Sequence, residues 1–459
     1  MILQHPSAHR PFRGENASVL VIVLWICLAL VSISLYFAHS MTYELRAADN
    51  RVNGVAAEQA IEGAARYINL VLANYATNGT VPDPSQFKCA AVALGDAHFW
   101  LIGRDPAGGN STEPYFGLVD EGAKLNINTA NTNTLSYLPG MGMDFAQAIV
   151  DWRNTNTSLA LDYSSLGYAP KYAPFESIDE LRLVYGATVD LLAGEDINRN
   201  GVLDASEKDL NGNGELDPGL FEYLTVWTRE PNFHADGIML TNINTATQND
   251  LTTLLRNASV SSPDSRGQTI YSQIHPRSTS GPPTPRPFNG IFDFAAYWRS
   301  QGWSADDFAR ITDDITTATN TYFRGRVNVN TAGAEVLTAL FSSLNNVDEQ
   351  TAASAAQTLL TYRDQNPGTL NAITWVYDAL GNNQVVTALR AGNFITTKSY
   401  QFTADIAAVG AYGRGYRRVK FLFDLSDGPP KIVYRQDLSR LGWALGDKAR
   451  NSLLANNTQ

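Results

Sequence analysis

The feature that constrains this chain most is an uncharged apolar run near its N-terminus. From Asn16 to Tyr43 the sequence has no Asp, Glu, Lys or Arg, and residues 19–37 read VLVIVLWICLALVSISLYF. A helix of about 20 apolar residues crosses the hydrocarbon core of a bilayer. Arg10 and Arg13 precede the run, while the first charge after it is acidic. The positive-inside rule therefore predicts a cytoplasmic N-terminus, with the bulk of the chain on the other side of the membrane.

A cleaved secretory signal peptide is the alternative, and it has a shorter apolar core that ends at a cleavage site after small residues. This run instead continues into an amphipathic stretch without proline. Apolar residues recur there at helical spacing, at Ala56, Ala60, Ala64, Ile68 and Leu72. The sequence therefore predicts one helix over 15–76, with 19–38 in the membrane and the remainder packed against a folded domain.

Strand-like segments lie on both sides of a long helical middle. AHFWLIGRD and YFGLVDEGAKLNI precede it, and YRRVKFLFDL and KIVYRQDL follow it around the turn SDGPP. The predicted fold is α+β: a long N-terminal helix and an antiparallel sheet, interrupted by a large α-helical insert. The predicted boundaries place strands at 77–125, the insert at 126–398, and further strands and a tail at 399–459.

The insert repeats itself three times. The pattern Asn-Ile/Val-Asn-Thr-Ala occurs at 126–130, 242–246 and 328–332, and leucines follow the second Asn seven and ten residues later in every copy. Leucines three residues apart form the buried face of a helix. The copies end in the related segments PFESIDEL, PFNGIFDF and TLNAITWV. They predict three helix-hairpin-helix-like units, of which only the first keeps the glycine hairpin, LPGMG.

The segment DINRNGVLDASE within the insert matches a calcium loop at every position. Counting Asp196 as position one, the expected oxygen ligands come from Asp196, Asn198, Asn200, the Val202 carbonyl, Asp204 and Glu207. Alternate Asp and Asn residues around a tight glycine turn supply the hard oxygen atoms that Ca²⁺ prefers. A solvated polar turn is the alternative. We predict a structural calcium site rather than a regulatory one.

Thirteen residues later the pattern returns less completely. The second loop would use Asp209, Asn211, Asn213, the Glu215 carbonyl and Asp217. Its twelfth position is Leu220, so the bidentate acid is missing unless Glu222 takes its place. The prediction is therefore one or two calcium ions in a compact double loop at 196–222.

The sequence gives no sign of enzyme chemistry, and its one feature associated with nucleic-acid binding is opposed by the local charge. Six histidines are scattered outside any catalytic motif, and Asp120 and Glu121 are interpreted as surface or capping residues. The net charge is −11. The LPGMG hairpin is similar to helix-hairpin-helix modules that bind DNA phosphates, but four basic residues face ten acidic ones over 120–195, and such a surface repels a polyanion.

Together these segments resemble the type II secretion system protein K family, the large minor pseudopilins. The resemblance is carried by RGENASVLVIVLW, YFGLVDEGAKLNINTA, LPGMGMDFAQAIVDWRN, PFESIDELRLVYG and GEDINRNGVLD. It implies a pilin-like body carrying a helical domain, bound calcium, and a non-enzymatic role in protein export. It also implies a single-pass inner-membrane protein with its bulk in the periplasm, and other minor pseudopilins as partners at the pseudopilus tip.

The same resemblance implies a cytoplasmic leader at 1–14 that the prepilin peptidase removes, followed by N-methylation. Cleavage after Gly14 makes Glu15 the first residue, and cleavage after Ala17 makes Ser18 the first. Neither choice puts a glutamate at the fifth position, as the resemblance implies for a subunit with no other subunit above it. The alternative function is a membrane-anchored helix-hairpin-helix DNA receptor of competence type.

Overall fold

The structure is a computed structural model, and it describes residues 16–75, 79–105, 112–154, 163–276 and 285–455. In chain order its α-helices are α1 Asn16–Ala73, α2 Thr132–Ser136, α3 Met143–Arg153, α4 Val189–Ala193, α5 Leu220–Tyr223, α6 Gln248–Asn257, α7 Pro263–Ile274, α8 Ile291–Ser300, α9 Ala305–Ala309, α10 Ala334–Ser342, α11 Glu349–Gln365, α12 Thr374–Leu380, α13 Gln384–Leu389 and α14 Gly446–Ala455. Its strands are β1 Val92–Leu94, β2 Ala97–Ile102, β3 Val119–Asp120, β4 Leu125–Asn126, β5 Leu224–Thr225, β6 Arg229–Pro231, β7 Thr241–Asn242, β8 Ile315–Thr316, β9 Tyr322–Arg324, β10 Val327–Asn328, β11 Ile395–Thr396, β12 Gln401–Val409, β13 Arg417–Asp424 and β14 Lys431–Asp437.

α1 is one continuous helix with two different surroundings. In its N-terminal half the large apolar side chains from Val19 to Phe37 are all exposed. Of the described helices, it is the one long and apolar enough to cross a membrane. In its C-terminal half, Ala60, Ala64, Ile68 and Leu72 are buried, as their helical spacing predicts. The predicted long helix is confirmed.

An antiparallel sheet forms the body on which α1 packs. Its strand order is β1-β2-β12-β13-β14, and β3 pairs with β12 beyond the end of β2. The helix and one face of the sheet share a core that includes Ile61, Phe99, Phe402, Ile406 and Phe421. Burying each of these large side chains contributes roughly 1.5–3 kcal/mol. The predicted α+β fold, with the insert between β3 and β12, is confirmed.

The opposite face of the sheet carries a smaller core and a buried ion pair. Trp100 and Val409 pack there against Ala444 and Leu445 from the C-terminal tail. Beside them the buried Arg418 on β13 donates to both carboxylate oxygens of Asp405 on β12, at 2.8 and 2.6 Å. This face therefore offers charged as well as apolar contacts to the insert.

The insert contains three units of the same plan, here called unit one (125–225), unit two (241–316) and unit three (327–396). Each unit begins and ends with a two-residue strand, and the two strands pair in parallel: β4 with β5, β7 with β8, and β10 with β11. All three contribute to one continuous apolar core. The closing strands share a Leu/Ile-Thr pattern at 224–225, 315–316 and 395–396, a fourth element of the repeat that the sequence analysis missed.

The repeated asparagines have a structural role. In unit one, Asn128 donates to the carbonyl of Phe175 and accepts from its N–H, at 2.9 and 2.8 Å. Asn244 forms the same pair of bonds with Phe288 in unit two. In unit three Asn330 donates to the Leu370 carbonyl and accepts from the Trp375 indole. Because these amides satisfy backbone groups, the recurring pattern marks packing rather than chemistry.

The hairpin turn is also common to all three units. Gly140 has φ +70°, and the equivalent Ser259 and Asn346 have φ +55° and +62°. The next residue, a methionine or valine, is buried in every case. Only unit one has a glycine at this position, but all three units have the left-handed backbone turn. Asparagine tolerates this region better than most residues do.

Candidate metal centre

The predicted calcium segment forms a double loop that is closed at its base. Gly194 and Pro218 form an isolated antiparallel bridge, and Gly219 donates to the Ala193 carbonyl at 3.0 Å. Gly194 has φ +62°, and a Cβ atom on it would lie 2.4 Å from the Asp217 carbonyl oxygen. Only glycine allows this approach, because no real Cβ comes so close to backbone. The bridge brings the start of the first loop against the end of the second.

The predicted Asp and Asn side chains of the first loop form hydrogen bonds within the loop. Asp196 accepts from the N–H groups of Asn200 and Gly201, both at 2.9 Å. Asp204 accepts from the side-chain amides of Asn198 and Asn200, at 2.5 and 2.9 Å. Val202 donates its N–H to the Asn200 side chain at 3.0 Å. The alternate Asp and Asn side chains of the first loop are thus linked to one another and to the loop backbone by hydrogen bonds.

Glu207 closes the first loop from its far end. Its two carboxylate oxygens accept from the N–H groups of Asn198 and Asp204, at 3.0 and 3.1 Å. These bonds hold the carboxylate over the loop, where the twelfth ligand of a calcium loop belongs. The Asn198 side-chain oxygen is buried and has no hydrogen-bond partner. A buried acceptor without a donor is costly, and a cation at this point would satisfy it. The donor set of the first loop therefore fits Ca²⁺.

The second loop repeats this geometry on the surface. Asp209 accepts from the N–H groups of Gly212 and Gly214, at 2.6 and 2.8 Å. Asp217 accepts from the amides of Asn211 and Asn213, at 2.5 and 3.0 Å. Glu215 donates its N–H to Asn213. The bonds of Asp217 and Glu215 repeat those of Asp204 and Val202 in the first loop, whereas Asp209 accepts from the fourth position and Asp196 from the fifth.

An acid that the sequence analysis missed, Glu195, contacts the second loop. Its carboxylate oxygens accept from the N–H groups of Leu210 and Asp217, at 2.6 and 3.0 Å, and the residue is buried. Glu207 accepts from the matching ninth position of the first loop, Asp204, but its other bond comes from the third position, Asn198, rather than from the second. The sequence signal is weak, since Glu195 precedes the whole pattern and meets the second loop only through the bridge at Gly194.

Glu222, the expected substitute for the missing acid, lies elsewhere. Both of its carboxylate oxygens accept from Arg104 Nε at 2.8 Å. The guanidinium also comes within 3.9 Å of Asp196, so Glu222 offsets a positive charge beside the first loop. Leu220 is fully buried in the core of the insert.

The environments of the two loops shift their first aspartates in opposite directions. Burial raises the pKa of Asp196 above its ordinary value, although nearby Arg104 opposes the shift. Hydrogen bonds from the backbone, first from Gly214, lower the pKa of Asp209. Keeping the buried Asp196 carboxylate ionised is therefore unfavourable, and a cation bound in the first loop would offset that free-energy cost.

The first loop also joins the insert to the sheet. Arg418 donates to the carbonyl oxygens of Asn198 and Arg199, at 2.5 and 2.8 Å, in addition to its ion pair with Asp405. On the other side, Asn198 and Asn200 donate to the carbonyls of Trp443 and Ala444, at 3.4 and 3.3 Å. The loop is therefore held between a strand and the C-terminal tail.

Asp120 and Glu121, interpreted from sequence as surface or capping residues, are buried. Asp120 does cap a short 3₁₀ turn, since it accepts from Gly122 N–H. It also accepts from Thr331 and Ser399 at 2.5 and 2.7 Å, and its burial raises its pKa to about 6. This acidic pair is a structural connection between the sheet and the insert.

Among the described residues, no three His, Cys, Asp or Glu side chains form a metal cluster. In each loop three of the six candidate donors are carboxylates, from Asp196, Asp204 and Glu207 in the first and from Asp209, Asp217 and Glu195 in the second. These carboxylates are not gathered into such a cluster, and the other donors are two asparagine amides and one main-chain carbonyl in each loop. Of the predicted processing residues, Gly14 and Glu15 lie outside the described residues, and Ala17 and Ser18 lie at the start of α1.

Comparisons with known proteins add two similarities. A family model described as a helix-hairpin-helix motif matches residues 120–160, and no curated protein matches the chain. A chain from the crystal structure of the GspK–GspI–GspJ complex of the enterotoxigenic Escherichia coli type 2 secretion system is 14% identical, covering 43% of this chain and 75% of that one, with a TM-score of 0.18. A similarity this weak leaves the function to be argued from the residues themselves.

Proposed function

We propose that this chain is a minor pseudopilin of a type II secretion system, a subunit of the pseudopilus tip. The observation that carries the proposal is α1, which continues without a break from an exposed apolar half of membrane length into a half packed along an antiparallel sheet. Such a helix can rest in a bilayer and later pack among other helices in a filament. The sequence segments that resemble the protein K family support this particular type of subunit.

Before assembly, the apolar half of α1 would hold the protein in the inner membrane, with the sheet and insert in the periplasm. Arg10 and Arg13 favour this orientation. The prepilin peptidase would cut after Gly14 or after Ala17, and the new N-terminus would be methylated. In the filament, the other minor pseudopilins would pack beside α1, and a subunit without a glutamate at the fifth position would lie at the top.

The role of the chain would be assembly rather than catalysis, with calcium as a structural cofactor. We propose one ion in the first loop, held by Asp196, Asn198, Asn200, Val202, Asp204 and Glu207. A second ion would be held by Asp209, Asn211, Asn213, Glu215, Asp217 and Glu195. Calcium sites of extracellular modules bind with Kd values on the order of 10⁻⁴–10⁻³ M, so both would remain filled where calcium is abundant.

The test is the intact mass and N-terminal sequence of the protein purified from its native membrane. An end at Glu15 or Ser18, heavier by one methyl group, is expected. Matched variants Gly14→Asp and Ala17→Asp identify the cut, because only one of them should leave the leader in place. An uncut Met1, or an end beyond the apolar run, would contradict the proposal.

A membrane-anchored DNA receptor is the second candidate, and the helix-hairpin-helix match at 120–160 favours it. It predicts that the full chain binds duplex DNA, with an affinity that falls steeply as salt rises. The exposed residues that open α3 are Met143 and Asp144, which offer no positive charge to a phosphate. We expect no duplex binding at physiological salt in an electrophoretic mobility assay.

A further inference from the structure

Unit one differs from the other two units in what it exposes. Between residues 241 and 396, the described part of the chain has no large apolar side chain in the exposed class. Unit one has several of them around its hairpin: Met143 at 56%, Tyr168 at 38%, Leu183 at 49%, Tyr185 at 42% and Val189 at 53% exposed. These five residues are called the hairpin patch below.

The members of the hairpin patch lie close to one another. A Cβ atom on Gly186, next to Tyr185, would lie 3.6 Å from Phe145 of α3, two residues after Met143. A Cβ atom on Gly140 of the hairpin would lie 3.6 Å from Leu191, two residues after Val189. The Tyr168 hydroxyl donates to the Leu183 carbonyl at 2.7 Å. The patch therefore lies on segments that adjoin one another: the hairpin, α3, α4 and the segment before α4.

The shared plan of the units shows that this exposure is not required by the fold. The first helical residue after the hairpin turn is Met143 in unit one, but Pro263 in unit two and Glu349 in unit three. A contiguous apolar surface rimmed by polar residues marks an interaction site. Tyrosine and methionine are also enriched at protein–protein interfaces. The chemistry of the patch points to a protein partner.

The charged residues beside the patch indicate which charge a partner would carry. Asp144 and Asp190 directly follow Met143 and Val189, both are exposed, and neither has an ion pair among the described residues. The nearby cations are engaged, since Lys171 lies between Glu176 and Glu180 at 3.2 and 3.0 Å. Arg182 lies 3.5 Å from Asp179. The free charge at the edge of the patch is negative.

We propose that the hairpin patch docks a basic amphipathic segment of a partner protein. The apolar side of that segment would cover Met143, Tyr185 and Val189, and its Lys or Arg residues would meet Asp144 and Asp190. The proposed contact is that of an amphipathic helix with an apolar surface, with charge complementarity that favours a basic partner over an acidic one. A second copy of this chain, with its net charge of −11, lacks that complementarity overall.

The test uses the full chain in nanodiscs of zwitterionic lipid and two fluorescent peptide probes. One probe is an amphipathic helix of leucine and lysine, and the other has glutamate in place of lysine. We expect the leucine–lysine peptide to bind, and Met143→Ser/Tyr185→Ser to weaken it about tenfold or more, as loss of central interface residues does. Asp144→Asn/Asp190→Asn should weaken binding and reduce its salt dependence. Ile238→Ser/Met239→Ser, at an exposed apolar pair elsewhere, is the matched control and should leave binding unchanged.

A photoreactive form of the leucine–lysine peptide maps its site on the unmodified protein, so the test does not depend on the variants folding. Crosslinks at residues 140–192 support the proposal, and crosslinks elsewhere overturn it. It is also overturned if both peptides bind equally, if neither binds, or if the control variant loses as much affinity as the patch variant. Self-association that only the patch variant abolishes, without peptide binding, would assign the surface to a second copy.

Discussion

The two loops of the proposed calcium site share one pattern and differ in everything around it. Both read Asp-x-Asn-x-Asn-Gly, and both arrange the Asp and Asn side chains in the same way. In the first loop Asp196, Asn198 and Asn200 are almost fully buried, and a strand and the C-terminal tail hold the loop. In the second, Asn211, Asn213 and Asp217 are exposed. The shared sequence pattern predicts the same ligands in both loops. An ion in the buried first loop would stabilise its contacts with the sheet and the tail, whereas an ion in the exposed second loop would stabilise mainly the loop itself.

The largest expected effect comes from removing the contact between the first loop and the sheet. Arg418→Met leaves Asp405 buried without its cation and takes two donors from the carbonyls of Asn198 and Arg199. Breaking a buried ion pair on one side costs roughly 3–5 kcal/mol. We expect a loss of that order in the free energy of unfolding, measured by denaturant titration with calcium present.

Arg417→Met is the matched control, because Arg417 is the preceding residue on the same strand and is exposed. Surface changes of this kind usually alter stability by less than about 0.5 kcal/mol. Equal losses in the two variants would show that the first loop is not joined to the sheet through Arg418. The first loop would then not differ from the second through its contact with the sheet.

The second effect separates the loops by their ions. A ligand present at 100 times its Kd stabilises the native state by about 2.7 kcal/mol. Asp196→Asn should remove most of a calcium-dependent stabilisation of that order, because the first loop connects two parts of the fold. Asp209→Asn should remove less, since few buried contacts depend on the second loop. The measurement is thermal unfolding of each variant with calcium and with a chelator.

The chelator samples provide the control for that comparison. Because burial raises the pKa of Asp196, a neutral asparagine there relieves a charge that the ion-free loop holds at a cost. The asparagine also lacks one of the two oxygen atoms that accept from the N–H groups of Asn200 and Gly201, so without calcium Asp196→Asn should change stability by less than it does with calcium. If it is much less stable under chelation, Asp196 has a structural role that does not depend on the ion.

Much of this fold could be predicted because its signals are local. The apolar run, the hairpin around SDGPP and the three asparagine patterns each predicted an element that the structure contains. β12 was not predicted as a separate strand: QFTADIAAV carries Thr403 and Asp405, yet all nine residues are buried between neighbouring strands. Its partners are distant in sequence, and a short segment read alone does not reveal that both of its faces are covered.

The candidate site was predictable for the same reason and to the same extent. The six predicted ligands of the first loop lie within twelve consecutive residues, so their spacing alone is enough to propose them. The interactions of Glu195 and Arg418 depend on tertiary contacts: a glycine bridge for the first and a strand more than two hundred residues away for the second. Glu195 could not be proposed from spacing as the acid of the second loop, because it precedes the first loop.

The smallest effect, and the sharpest test of the second loop, is the number of ions bound. Glu195→Gln keeps the shape of the side chain but removes its charge, which a bidentate calcium ligand supplies. We expect the variant to bind one calcium ion fewer than the unmodified protein in isothermal titration, with the first site retained. Glu222→Gln is the matched control and should keep the ion count, because Glu222 pairs with Arg104 rather than with the second loop.

A lower count in Glu222→Gln but not in Glu195→Gln would assign the missing acid to Glu222. Unchanged counts in both would show that the second loop binds no ion, or binds one without a twelfth ligand, and total calcium bound to the unmodified protein separates those two outcomes.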